Sequence, residues 1–152
     1  MVLLDVSFGI FAFMPLGWLF MIFVIVLECL AMTRSLLPKW LNKRIYGVTV
    51  LSNVVSGAIG IFLSIYLNGG WYLVVWFPWV SSHEIDLPAD LHFLATYYII
   101  AFILTIIVEV NINVLLLRKH YTVKKVTIAT LISNLISYAV GTAVLYSYSF
   151  HQ

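Results

Sequence analysis

The chain reads as four long apolar runs separated by short polar stretches. No formally charged residue occurs from Val6 to Leu27, from Ile45 to Ser82, from Leu91 to Val108 or from Val126 to Phe150. The runs are dense in Leu, Ile, Val and Phe and do not alternate with polar residues. Helices are therefore expected rather than the period-two strands of a closed barrel. Crossing the hydrocarbon layer takes about 20 helical residues. The pattern predicts four transmembrane helices, at roughly 6–36, 45–67, 88–117 and 125–149.

Composition sharpens this picture. Hydrophobic residues make up 63% of the 152 positions, charged residues only 9%, and the mean hydropathy is +1.07. Soluble domains are nearer half apolar and a quarter charged. An ordinary soluble enzyme, a disordered chain and a nucleic-acid binder are thereby excluded. A single membrane domain over residues 1–152 is expected, with no second, soluble domain. Cys29 is the one cysteine, so neither an intramolecular disulfide nor a CxxC metal or redox motif can form.

The charges fall in a pattern. Arg34, Lys39, Lys43 and Arg44 lie between the first two runs, and Arg118, Lys119, Lys124 and Lys125 lie between the last two. Together they are all eight Lys and Arg. The positive-inside rule places both stretches in the cytoplasm and both termini outside, as in a bacterial inner membrane. Asp5, Glu84, Asp86 and Asp90 fall on the opposite side. The N-terminus has neither a basic start nor a small-residue cleavage site, so no removable signal peptide is expected.

Shifted by 81 residues, the chain matches itself without gaps. Glu28 falls on Glu109, Lys43 on Lys124, Thr49 on Thr130, Ser52 on Ser133, Asn53 on Asn134, Ser56 on Ser137, Ala58 on Ala139 and Gly60 on Gly141. Between 22 and 60, eleven of 39 positions are identical. Apolar matches are cheap in such a chain, but matches of Glu, Asn, Ser, Gly and Lys are not. The expected fold is therefore an all-α membrane protein of two tandem helical hairpins. Repeat 1 covers about 5–67 and repeat 2 about 86–149, on either side of an outer loop at about 68–85. Both hairpins enter from the same side, so a pseudo-two-fold axis along the membrane normal should relate them.

The polar residues kept by the repeat are the candidate site. Glu28 precedes Arg34 by six residues, roughly 9 Å of helix, and Asn53 follows Arg44 by nine, roughly 13 Å. Glu109 and Asn134 lie at comparable depths, so acid and amide are level within each hairpin. A carboxylate ion is costly at such a depth and marks a functional-site candidate by default. A neutral carboxyl and an Asn amide can also exchange hydrogen bonds and lock two membrane helices together. Thr105, Glu109 and Asn113 share one face at i, i+4, i+8, where repeat 1 has Val24, Glu28 and Met32. The second half is thus the more polar.

Ser52, Ser56 and Gly60, like Ser133, Ser137 and Gly141, also lie at i, i+4, i+8. Small residues at this spacing allow close helix crossings, and the second and fourth helices are expected to meet along them. After Asn68-Gly69-Gly70 comes an aromatic segment, Trp71 and Tyr72 to Trp76, Phe77 and Trp79. It is too short to span and suits the headgroup layer or a docking contact with a partner. His83, Glu84, Asp86, Asp90 and His92 fit no tight zinc spacing, and His83-Glu84 lacks the second histidine of a metalloprotease motif. No metal, no cofactor and no catalytic residue is expected.

The repeated pattern of Glu followed 25 residues later by Asn-x-x-Ser, as in Glu28/Asn53/Ser56 and Glu109/Asn134/Ser137, resembles that of small bacterial polytopic proteins. One example is the filament-integrity membrane proteins of cyanobacterial septa. The resemblance covers the helices and implies a structural or septal role, with no residue role carried over. The leading expectation is a non-catalytic scaffold or accessory subunit of a larger membrane complex. Its partners would be membrane lipids and other membrane subunits or a second copy. The alternative is a small proton- or cation-coupled transporter or channel using Glu28 and Glu109.

Overall fold

The computed structural model describes residues 15–67 and 88–149. Four helices occur in the order α1 (Pro15–Leu36), α2 (Lys43–Leu67), α3 (Pro88–Leu117) and α4 (Val123–Ser149), with no strand among the described residues. They agree with the expected helices to within two residues at both basic loops. The expected start of the first helix, the aromatic segment and the remainder of the outer loop before 88 lie outside the described residues. Two of the helices are long and apolar enough to cross a membrane, over Ile99–Leu117 in α3 and Val123–Gly141 in α4.

Local chemistry sets the helix ends. Pro15 and Pro88 occupy first positions, where proline loses no helical hydrogen bond and its fixed φ suits the helix. Asn42 caps α2: its Oδ1 accepts from the backbone N–H groups of Arg44 at 3.0 Å and Ile45 at 3.2 Å. The Lys125 ammonium at the start of α4 donates to the Leu36 carbonyl at the end of α1, 3.0 Å away, satisfying one of the acceptors that a helix C-terminus leaves open. Arg44 meets His120, which joins the two basic loops. Met32, Leu36, Ile45, Leu117, Val126 and Ala129 form a small apolar cluster at this end.

Each helix packs against two others: α1 against α2 and α4, and α3 against α2 and α4. The bundle is therefore a closed ring in which α2 and α4 face each other across a diagonal. This corrects the expectation that α2 and α4 meet along their small residues. A Cβ added at Gly60 meets nothing within 4 Å, so no close crossing occurs there. The serine hydroxyls of these stripes have another use, because a polar group in an apolar layer must find its partner inside the protein.

The distribution of side chains is inverted relative to a soluble bundle. Among the described residues the fully buried set holds ten polar side chains and seven apolar ones. Large apolar residues point outward along every helix: Leu19 and Ile22 on α1, Val54 and Phe62 on α2, Ile99 and Ile107 on α3, Ile132 and Leu135 on α4. Water would penalise that arrangement and hydrocarbon would not.

Candidate functional site

The buried polar side chains converge on the two glutamates. Glu28 on α1 accepts from Asn53 Nδ2 on α2, 2.7 Å from Oε2, and from Ser137 Oγ on α4, 2.5 Å from Oε1. Glu109 on α3 accepts from Asn134 Nδ2 on α4, 2.8 Å from Oε2, and from Ser56 Oγ on α2, 2.9 Å from Oε1. Each carboxyl therefore takes an amide from its own hairpin and a hydroxyl from the other one. Asn53 and Ser56, three residues apart on α2, reach one glutamate each, and so do Asn134 and Ser137 on α4, so the two carboxyl groups share one level of the bundle. Both glutamates are 1% exposed, so no water shell replaces any of these partners.

The helices hold the donors in place. Asn53 and Asn134 each give a second amide hydrogen to a carbonyl one turn back, that of Thr49 at 3.0 Å and that of Thr130 at 3.1 Å. Each hydroxyl also lies within reach of its own helix, Ser56 at 3.0 Å from the Asn53 carbonyl and Ser137 at 3.0 Å from that of Asn134. Asn and Ser three residues apart fall on one helix face, so both can point at the same centre. Ser52 and Ser133 turn instead to the backbone carbonyls of Thr49 and Thr130.

The polar face of α3 runs against α4 in a regular antiparallel register. Thr105 meets the Tyr138 hydroxyl at 3.2 Å, Glu109 meets Asn134, and Asn113 Nδ2 donates to Thr130 Oγ1 at 3.1 Å. Thr130 Oγ1 in turn donates to the Val126 carbonyl at 3.0 Å and approaches the Met32 sulfur at 3.8 Å. In α1 the residue corresponding to Asn113 is Met32. Thr49, the counterpart of Thr130, has a buried hydroxyl with no partner. Thr33 Oγ1, Asn113 Oδ1 and Asn134 Oδ1 are likewise buried and unpartnered.

Of the residues expected at the site, Glu28, Asn53, Glu109 and Asn134 form its centre, while Thr105 and Asn113 flank it above and below on α3. Ser56 and Ser137, read from the sequence as packing residues, belong to the centre as donors. Tyr138, Thr130 and Thr49 escaped the sequence reading. The identity of Thr49 with Thr130 across the 81-residue offset was the signal for the last two. Cys29 is buried beside Glu28, its thiol directed at the Tyr46 carbonyl at 3.9 Å. No group of three or more His, Cys, Asp or Glu able to hold a metal ion occurs among the described residues.

No known protein family matches this chain, and neither does any curated protein or solved structure.

Proposed function

We propose that this protein is a small, non-catalytic integral membrane scaffold or accessory subunit of a larger membrane complex. One observation carries the reading: each of the four carboxyl oxygens of Glu28 and Glu109 accepts from a side chain on a neighbouring helix. The polar chemistry of the interior is turned on itself and holds four helices in one ring. The apolar outer faces are left for lipid and for partner subunits or a second copy.

In this reading all four helices span the bacterial inner membrane, with both termini outside and the two Lys/Arg loops in the cytoplasm. The chain is a tandem duplication whose hairpins are related by a pseudo-two-fold axis along the membrane normal. The reciprocal exchange, Asn53 and Ser137 on Glu28 against Asn134 and Ser56 on Glu109, supports that axis. The aromatic segment 71–79 is the docking contact on the outer side, and a septal complex is the setting that the family resemblance implies. Purification in mild detergent tests the role. A membrane protein recovered in fixed stoichiometry is expected, and recovery of the isolated monomer alone from native membranes overturns it.

The open acceptors Asn134 Oδ1 and Asn113 Oδ1 inside the bundle favour a second reading, a small proton- or cation-coupled transporter or channel using Glu28 and Glu109. Its mark is flux of protons or monovalent cations into vesicles holding the pure protein, abolished in Glu109→Gln without loss of fold.

A further inference from the structure

We propose that Glu28 and Glu109 together form a proton-binding site, in which the two facing carboxyls hold one proton between them at the centre of the bundle.

The two carboxyl groups take their donors from the same turn of α2 and the same turn of α4, and both are 1% exposed. A carboxylate has only acceptors, so a hydrogen shared within such a pair has to be a proton carried by one of them. The four side chains that reach the pair, Asn53, Asn134, Ser56 and Ser137, are neutral. Each gives one hydrogen to one carboxyl oxygen and brings no charge.

No positive group faces the pair. On α1 its titratable neighbour is Cys29, whose thiol points to the Tyr46 carbonyl. From α2 the nearest titratable side chain is that of Tyr46, whose hydroxyl points away to the Trp40 carbonyl at 3.3 Å. On α3 the charged group is Glu109 itself. From α4 it is Tyr138, engaged with Thr105 and edge-on to Phe102. All eight Lys and Arg belong to the loops and helix ends on one side. Two buried carboxylates at one level of an apolar interior, with no positive group beside them, repel each other strongly, and like charges so placed do not both remain ionised.

A separate observation points to the same centre. Asn134 is fully buried, and its Nδ2 gives hydrogens to Glu109 and to the Thr130 carbonyl. Its Oδ1 has no donor. The residue that donates to Glu109 thus keeps a buried acceptor that still lacks a hydrogen. A metal ion suits the centre less well. Hard cations take about six oxygen ligands, and here the serine and asparagine groups present hydrogens, not lone pairs, to the carboxyls. Such a site would exist in a scaffold and in a transporter alike.

Infrared spectroscopy of the full-length protein in lipid tests this. At neutral pH the carbonyl band of one protonated carboxyl per chain is expected, shifting on exchange into deuterated water. It should vanish in Glu28→Gln and in Glu109→Gln, where an amide hydrogen takes the place of the proton. In the native protein the band should fade at alkaline pH together with a drop in Tm, and the drop should be flattened in Glu109→Gln. Absence of the band at neutral pH overturns the site, as does a Tm that rises on adding sodium or calcium ions. Persistence of the band at full intensity in both variants assigns it to another carboxyl and also overturns the site. Should one variant fail to fold, the other decides; should both fail, the native spectrum and its pH course decide.

Discussion

Ser137 on the last helix gives its hydroxyl hydrogen to Glu28 on the first, 2.5 Å away and 109 residues distant along the chain. Ser56 and Glu109 make the corresponding contact between α2 and α3 at 2.9 Å. These two bonds are the polar links between the hairpins at the level of the glutamates, and each ends on a carboxyl that has no other hydroxyl partner.

Removing either link should loosen the pairing of the hairpins. Ser137→Ala and Ser56→Ala should each cost about 1–2 kcal/mol, the range of a hydrogen bond to a charged or strongly polar acceptor. The measurement is unfolding in detergent, with a double-mutant cycle against Glu28→Leu. Additive effects of Ser137→Ala and Glu28→Leu would show that the two do not interact.

At the glutamates the shape-conserving and the apolar substitution should separate. Glu28→Gln keeps an acceptor and a donor in place and should change stability by less than about 1 kcal/mol. Glu28→Leu strands the Asn53 amide and the Ser137 hydroxyl in the interior and should cost about 1–3 kcal/mol for each group left without a partner. Equal Tm values for the two variants would contradict the bonding described here.

The threonines matched by the 81-residue offset should respond in opposite directions. Thr49→Val removes a buried hydroxyl that has no partner and should be neutral or stabilising by up to about 1 kcal/mol. Thr130→Val removes the acceptor of Asn113 and should destabilise by about 1–2 kcal/mol. Thermal unfolding of the two variants under one set of conditions checks the sign of the difference.

Topology is open to chemical labelling. A thiol-reactive, membrane-impermeant label should reach cysteines placed at Lys39 and Lys119 from the cytoplasmic side, and tags at either terminus should be accessible from the outside, because every Lys and Arg lies in the two hairpin loops or the helix ends beside them. Labelling of Lys39→Cys from the outer face would reverse the orientation.

The sequence by itself determined the helices and the identity of the polar residues at their centre. Uncharged apolar runs of 18 residues or more leave a chain little choice but helix, and basic stretches mark the turns. The ends at the two basic loops came out within two residues because the clustered charges there, and Asn42, are local signals. Glu28, Asn53, Glu109 and Asn134 stood out because polar residues are rare in such runs and recur at one offset. The pairing of acid and amide within a hairpin was legible too, since a short loop fixes which levels of two antiparallel helices meet.

Only the tertiary structure decided what joins one hairpin to the other. Ser56 and Ser137 can serve equally as small residues at a close crossing or as donors, and helical spacing is the same for both uses. The choice depends on which helices are neighbours in the ring, and no local interaction encodes that order. With α1 beside α4 and α2 beside α3, each serine faces a carboxyl from the other hairpin, and the two glutamates are brought to one level of the bundle. An apolar surrounding then enforces the bonds, because a polar group that found no partner there would remain without one.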